Sequence, residues 1–314
     1  MSESAARTPS APPSRFGAVL ALAGQTAIAA STFVIAKQAL AAFRPLELAG
    51  LRLIGAAIVM GSLAAIARRG GLSFHGRARE LVALGLIGVT VNQICFLSGL
   101  ARSTPTHAAL LYALTPAFVH ILGLATGEER PNLRLALGIA IAMAGAAVVI
   151  AARSHDTAMR ATLGGDLLIL VGVVAWAAYS ARARTAVRAM GALRFTATTL
   201  VAGAVGGLPI TLPRMRALAP AEIPLGAWGG LAFLILFTSG LAYALWTWAL
   251  RGLTASQVAV FANAQPVATA LLSYVVLGES VGVPLVAGGS LVLAGVALTQ
   301  SQAASRAAPA VAPD

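Results

Sequence analysis

The stretch ANAQPVATALLSYVVLGE, residues 262–279, is an apolar run of nearly membrane-spanning length with a proline near its start and a glutamate at its end. A second stretch, YALTPAFVHILGLATGEE at residues 112–129, has the same layout. The two prolines, Pro116 and Pro266, lie 150 residues apart. Since about 20 apolar residues span the hydrocarbon core of a bilayer, these stretches indicate an internal repeat of membrane helices.

The composition extends this interpretation to the whole chain of 314 residues. Hydrophobic residues make up 58% and charged residues only 10%, whereas a soluble domain has about 25% charged residues. We therefore predict an all-α integral membrane protein whose main partner is the lipid bilayer. Ten transmembrane helices are expected, at residues 16–36, 45–67, 81–100, 105–127, 133–152, 164–183, 194–212, 226–249, 255–277 and 281–301.

The positive charges predict the orientation of the chain. The net charge of +12 comes from arginines scattered between apolar runs, and this distribution excludes a nucleic-acid partner. If the N-terminus is cytoplasmic, the inner segments hold 14 Lys and Arg residues and the outer segments hold 7. This bias favours cytoplasmic N- and C-termini. The Ala/Pro/Ser-rich tails, 1–15 and 302–314, are expected to be disordered.

The repeat divides the chain into halves of five helices, residues 16–152 and 164–301. At an offset of 150 it matches Leu100 with Leu250 and Thr104 with Thr254. Nearer the start of each half the offset is about 146, which matches Phe33 with Tyr179. Because five is odd, the second half should enter the membrane upside down relative to the first. Inverted repeats are typical of secondary transporters, which bind substrate near the midplane between the halves. Duplication without transport, as in a structural membrane protein, remains the alternative.

The prolines and glutamates of the repeat have different expected roles. Proline removes a backbone hydrogen bond, and an unpaired carbonyl is costly in hydrocarbon. Pro116 and Pro266 are therefore predicted to kink their helices beside a central space, either as gating elements or only in packing. Glu129 and Glu279 fall at the water boundary and are expected to be structural, as capping or pairing groups.

Two further sets of residues are expected to be structural. Arg52 is a charged residue inside the second predicted span, and pairing with a backbone carbonyl or with Glu47 would explain it. Small residues let membrane helices approach closely. Helices five and ten are therefore assigned to packing through glycines that share one face in each helix: Gly138, Gly145, Gly288 and Gly295.

A central cavity is expected to be lined by aromatic and uncharged polar side chains, because no acidic residue lies at the centre of any predicted span. An interfacial belt is the alternative for the tryptophans and tyrosines. Aromatic and amide groups together suit a substrate with an apolar side chain and a polar head. The candidates are Gln25, Gln93, Phe96, Tyr112, Trp176, Tyr179, Tyr243, Trp246, Ser256, Asn263 and Gln265.

Enzymatic chemistry finds no support in the sequence. It contains no paired-carboxylate site, no metal-ligand cluster, no P-loop and no GxSxG motif. We therefore expect neither a catalytic residue nor a metal or cofactor. Without a nucleotide site, any transport is driven by gradients or is facilitative.

Each half ends in the pattern L-x(3)-T-x(11)-P-x(12)-E-x(8)-G-x(6)-G, starting at Leu100 and at Leu250. With ten spans and a five-plus-five repeat, the chain resembles the EamA-type branch of the drug/metabolite transporter superfamily. Within that branch it is similar to the YddG-like amino-acid exporters. At Ala30 the first repeat departs from an aromatic that is common in the branch, whereas Trp176 holds the matching place in the second repeat.

This resemblance implies a monomeric multi-pass protein of the bacterial inner membrane with a central cavity and alternating access. It also implies export of aromatic and other neutral amino acids. The leading hypothesis is therefore a secondary exporter of small neutral or zwitterionic metabolites. Efflux of drugs or quaternary cations is the second hypothesis, although no buried acid is available as a counter-charge. A non-transporting scaffold or membrane enzyme is the third.

Overall fold

The computed structural model describes residues 15–67, 76–127, 132–151, 161–242, 244–245 and 255–307. The described residues form helices joined by turns, and they contain no β-strand. Most of the predicted N-terminal tail and the end of the predicted C-terminal tail lie outside the described residues. The same is true of Glu129, Tyr243 and Trp246.

Ten helices follow one another along the described part of the chain, which confirms the predicted all-α, ten-helix class. Seven of them are long and apolar enough to cross a membrane, and α8, α9 and α10 contain shorter apolar stretches within the part that is described. Their bounds are α1 Arg15–Ala39, α2 Pro45–Ile66, α3 Ala78–Leu100, α4 Pro105–Ala125, α5 Leu133–Ala151, α6 Leu163–Met190, α7 Ala192–Arg216, α8 Leu225–Leu241, α9 Ala255–Leu277 and α10 Val283–Ala307.

Two helices extend well beyond their predicted ends. Helix α10 continues to Ala307, so the C-terminal tail does not begin at residue 302 as the sequence predicted. Alanine has the highest helix propensity, and the segment 302–307 is rich in it. Helix α6 has 28 residues and runs past the predicted end at residue 183 to Met190. At about 1.5 Å per residue, α6 is longer than the hydrocarbon core is thick.

Helices α5 and α10 pack closely through the predicted glycines. A Cβ atom placed on Gly145 would lie 2.6 Å from the backbone nitrogen of Val292 and 2.7 Å from the carbonyl oxygen of Gly288. One placed on Gly138 would lie 3.0 Å from the carbonyl oxygen of Gly295. As the residue numbers increase along α5, the numbers of the residues that they contact on α10 decrease, so the two helices are antiparallel.

Helices α2 and α7 form a second antiparallel pair. Gly50 near the start of α2 faces Thr211 near the end of α7. At the other end of the pair, Met60 packs against Ala197. Both antiparallel pairs therefore join a helix of the first half to the matching helix of the second half.

The remaining six helices form the middle of the bundle in a repeated arrangement. Helix α1 packs against α8 and α9, and its counterpart α6 packs against α3 and α4. Helices α4 and α9 contact each other directly. The largest buried apolar cluster draws on α1, α3, α4 and α6, with Phe96, Leu111 and Ile169 among its members.

The helices α3 and α8 share a local irregularity that the sequence did not reveal. A π-helical segment occupies Gly85–Val91 in α3 and Leu234–Leu241 in α8. These segments correspond at the 150-residue offset of the repeat. Segments of this kind are rare and often occur at functional sites.

The two repeat prolines differ in their local structure. Helix α4 is interrupted at Ala113 and Leu114, and Pro116 lies in the first turn of its second part, Thr115–Ala125. The hydroxyl of Thr115 donates a hydrogen bond of 2.7 Å to the carbonyl of Tyr112, the group that residue 116 would otherwise pair with. In contrast, α9 continues as a helix through Pro266.

Candidate functional site

A cavity of about 570 Å³ lies between eight of the ten helices. Its described wall takes residues from α1, α2, α3, α4, α6, α7, α8 and α9, whereas none of these lining residues belongs to α5 or α10. Binding sites for small molecules typically measure about 300–1,000 Å³. The cavity is therefore large enough for a small metabolite, and both halves of the chain contribute to it.

Most of the predicted cavity residues that the structure describes do lie on this wall. Aromatic, amide and proline side chains are all represented. The sequence-predicted residues that line the cavity are Gln93, Phe96, Tyr112, Pro116, Trp176, Tyr179, Asn263, Gln265 and Pro266.

One candidate does not reach the described wall, and three cannot be placed. Gln25 lies on the same face of α1 as the lining residue Ala29, but one helical turn before it, and it is not among the described lining residues. Tyr243, Trp246 and the side chain of Ser256 lie outside the described residues.

The apolar part of the wall includes two groups of aromatic rings. Phe33, Phe96 and Tyr112 meet edge to face, with ring centroids 5.5 to 5.8 Å apart. Trp176 stacks on Tyr179 at 5.2 Å. Phe33 was not among the predicted cavity residues. The repeat aligns Phe33 with the predicted cavity residue Tyr179, so this alignment could have identified it.

The π-helical segments contribute matching residues to the wall. Gly88 and Val89 of α3 line the cavity, as do their repeat partners Thr238 and Ser239 of α8. A Cβ atom on Gly88 would lie 2.3 Å from the Cβ of Tyr179. Only glycine therefore allows the ring of Tyr179 to approach this part of α3 so closely.

Asn92 is a cavity residue that sequence reasoning missed. Its side-chain amide donates hydrogen bonds to the hydroxyl of Tyr112 at 2.7 Å and to the carbonyl of Gly172 at 2.9 Å. One side chain thereby joins α3 to α4 and α6 on the cavity wall. A sequence alone does not show that an asparagine in an apolar helix faces two other helices.

Replacing Asn92 with leucine is expected to destabilise the protein and distort the aromatic wall. The change leaves the hydroxyl of Tyr112 without its donor and removes the hydrogen bond between α3 and the Gly172 carbonyl of α6, and a buried unpaired polar group costs about 1–3 kcal/mol. Thermal unfolding of Asn92→Leu in detergent should show a lower Tm than wild type. Gln38→Leu, at an exposed position of α1, is the matched control and should unfold like wild type.

Arg52 lies on the cavity wall, not against the acidic partner that the sequence suggested. Glu47 instead accepts a hydrogen bond from the backbone of Arg44 at 2.9 Å and lies 3.9 Å from the Arg44 guanidinium. Residues five apart on an α-helix point about 140° from each other, which separates Glu47 from Arg52. Nη1 of Arg52 is buried and makes no hydrogen bond to a described residue.

Buried polar contacts join several helices at one end of the bundle. Asp166, at the start of α6, accepts hydrogen bonds from Ser103 and pairs with Nδ1 of His107 at 3.1 Å. Lys37, near the end of α1, donates to the carbonyls of Leu100 at 3.0 Å and Ser103 at 2.7 Å. These contacts tie α1, α3, α4 and α6 together above the cavity.

Glu279, from the second half of the chain, makes buried contacts at the same end of the bundle. Its carboxylate is buried and accepts hydrogen bonds from the backbone at 3.3 Å and the hydroxyl at 2.8 Å of Thr106, and also from Ser273. The structure thus gives Glu279 a pairing contact between α4 and α9. Its repeat partner Glu129 is outside the described residues.

The described residues of the site offer groups that can recognise a small molecule. Among the described residues, no group of three or more His, Cys, Asp or Glu side chains could hold a metal ion. The cavity wall presents aromatic faces, amides, hydroxyls and one guanidinium. Such a wall can bind an organic molecule through stacking and hydrogen bonds.

Comparison with known proteins places the chain among transporters. The model of the EamA-like transporter family matches residues 15–151 and again residues 163–300. The uncharacterized transporter YyaM of Bacillus subtilis is 32% identical over 279 residues, which cover 88% of this chain and 90% of that protein. A probable terminal-alkyne amino-acid exporter of Streptantibioticus cattleyicolor is 29% identical over 241 residues, 76% of this chain and 79% of that protein.

A solved crystal structure has the same fold. It superposes with a TM-score of 0.61 at 22% sequence identity and covers 95% of this chain and 100% of that chain. At this level of identity the likeness supports the architecture alone.

Proposed function

The chain belongs to the EamA-like transporter family and is a multi-pass membrane transporter, and we propose that it exports small neutral or zwitterionic metabolites, above all aromatic and other neutral amino acids. The observation that carries this proposal is the cavity between the two halves. Stacked aromatic rings, such as Trp176 on Tyr179, suit an apolar side chain. Amides such as Gln93 and Asn263 suit a polar head group.

We further propose that the halves lie in opposite orientations and work by alternating access. Antiparallel packing of α5 against α10 and of α2 against α7 supports this, because matching helices that run antiparallel belong to inversely oriented units. Such repeats allow one half to rock against the other around a central site. The buried contacts of Asp166 and Glu279 then close one entrance to the cavity.

The proposal also covers the orientation of the protein in the membrane, the energy source for transport and the oligomeric state. The charge distribution favours cytoplasmic termini, which puts the end of the bundle that carries Asp166 and Glu279 on the outer side of a bacterial inner membrane. Transport is secondary, since no nucleotide-binding motif occurs in the sequence. The protein is proposed to act as a monomer, because the cavity is formed by the two halves of a single chain.

Efflux of quaternary cations has less support than amino-acid export. A cation gains from aromatic faces, but the described wall contains Arg52 and no aspartate or glutamate. A non-transporting scaffold has less support as well, since such a protein does not need a cavity of about 570 Å³ between its halves.

Transport in proteoliposomes tests the proposed function. Vesicles containing the purified protein and labelled phenylalanine or threonine should release label, or exchange it for external amino acid, faster than protein-free vesicles. Trp176→Ala removes a half-exposed ring from the wall and should raise KM about tenfold, which corresponds to about 1.4 kcal/mol. Tyr274→Ala, at an exposed site on α9, is the matched control and should transport like wild type. Absence of protein-dependent movement of every amino acid tested would remove the proposal.

A further inference from the structure

Arg52 stands out among the residues of the cavity wall. It is the one charged residue of the described wall, and it projects from α2 inside the bundle. A charged side chain inside a bilayer costs at least about 2.5–3.5 kcal/mol when it is not compensated. A charged side chain in this position is normally paired with an acid or with backbone carbonyls. A charged side chain inside the bundle without such a partner requires another explanation.

The described surroundings of Arg52 do not provide that partner. Nη1 is buried and makes no hydrogen bond there. The nearest acid along α2, Glu47, is held by Arg44. Asp166 and Glu279 are engaged with Ser103, His107 and other residues at one end of the bundle. The guanidinium thus has a hydrogen-bond donor, Nη1, for which the described residues provide no acceptor.

A second donor on the same wall is also unused. Nε2 of Gln93 is buried and has no hydrogen-bond partner among the described residues. Gln93 comes from α3, and α2 and α3 contact each other. A buried donor without an acceptor is costly, so two such donors on one cavity indicate that an acceptor occupies this region when the site is filled.

Resting on the proposed function, we infer that Arg52 and Gln93 form a subsite for the carboxylate of the transported molecule. A planar guanidinium matches a carboxylate through charge-assisted hydrogen bonds. The aromatic rings of Phe33, Phe96 and Tyr112 then face the rest of the substrate. The substrate class is that of small organic carboxylates with an apolar side chain, to which the neutral amino acids belong. A free carboxylate is essential for recognition, whereas the ammonium group is not.

A panel of analogues tests this inference on the wild-type protein. Proteoliposomes loaded with labelled phenylalanine are challenged with phenylalaninamide and phenethylamine, which lack the carboxylate, and with 3-phenylpropionate, which lacks the ammonium group. We expect 3-phenylpropionate to compete and the two carboxylate-free compounds to compete at least about tenfold less well, since a hydrogen bond to a charged group accounts for about 10- to 100-fold in affinity.

A variant and its control make the test specific to the guanidinium. Arg52→Gln should raise KM for phenylalanine about 10- to 100-fold and remove the preference for phenylalanine over phenylalaninamide. Arg77→Gln removes an arginine that pairs with Glu80 at 2.7 Å, away from the cavity, and should keep that preference. If Arg52→Gln does not fold, the panel of analogues on the wild-type protein still tests whether the substrate carboxylate is recognised.

The outcomes separate this subsite from the proposed function. If phenylalanine is exported and phenylalaninamide competes equally well, the carboxylate subsite is wrong and export stands. If no amino acid is exported, the proposed function fails, and a direct binding measurement then tests whether the carboxylate subsite exists. In that case calorimetry should detect 3-phenylpropionate binding to wild type and to Arg77→Gln but not to Arg52→Gln. Equal binding to all three proteins overturns the inference.

Discussion

Replacing Gly145 with leucine is expected to prevent stable packing of α5 against α10. Even a Cβ atom at this position would lie 2.6 Å from the nitrogen of Val292 and 2.7 Å from the carbonyl oxygen of Gly288. Both are backbone atoms of a helix and cannot rotate away as a side chain does. Overpacking usually costs about 1–3 kcal/mol, and a whole leucine against backbone should reach the upper end of that range or exceed it.

The measurement is the yield of folded, monodisperse protein after detergent extraction, followed by its Tm. Gly145→Leu should give little folded protein or a Tm far below that of wild type. Gly229→Leu is the matched control, because a Cβ atom on Gly229 meets no atom within 4 Å. Wild-type yield and Tm for Gly145→Leu would show that α5 and α10 are not packed as described.

The second large effect is expected from Glu279→Leu, which removes the pairing contact between the halves. The change leaves the backbone N–H and the hydroxyl of Thr106, together with the hydroxyl of Ser273, without their acceptor. Each buried donor left unpaired costs about 1–3 kcal/mol. It also removes the negative charge that acts on Lys37. We expect the free energy of unfolding to fall by the sum of several such costs, which should be measurable as a lower Tm.

The glutamine variant separates charge from hydrogen bonding. Glu279→Gln keeps an acceptor oxygen and should lose less stability than Glu279→Leu. Thr106→Val removes one of the donors, so its effect should not add to that of Glu279→Leu, because residues sharing one network couple. Fully additive effects, or an unchanged Tm in Glu279→Leu, would mean that this contact does not stabilise this end of the bundle.

The sequence contained enough to predict the class of the protein and much of its cavity. Hydrophobic length is a local property, so ten apolar runs could be counted without knowing how they pack. Pro116 was assigned to a central space because the backbone carbonyl that a proline leaves unpaired is costly in hydrocarbon. Trp176 was assigned there because it lies deep within its predicted span, 164–183, and not at the interface. The structure places both on the cavity wall.

The sequence was least informative about roles that depend on which residues of a neighbouring helix lie opposite. Gln25 lies on the correct face of α1 but one turn away from the described wall. Arg52 was expected to pair with a backbone carbonyl or with Glu47, but the helical angle between Arg52 and Glu47 directs their side chains apart. Asn92 had no distinguishing pattern in the sequence, although it connects three helices.

The amino-acid sequence by itself determined a ten-helix membrane protein with a duplicated half and an almost uncharged interior, because apolar length, repeat spacing and charge count are properties of the chain alone. Only the tertiary structure decided which side chains share the cavity and which polar groups remain without a partner, Nη1 of Arg52 among them. The physical reason is that burial and hydrogen bonding depend on which helix faces meet, and residues far apart in the chain set those contacts.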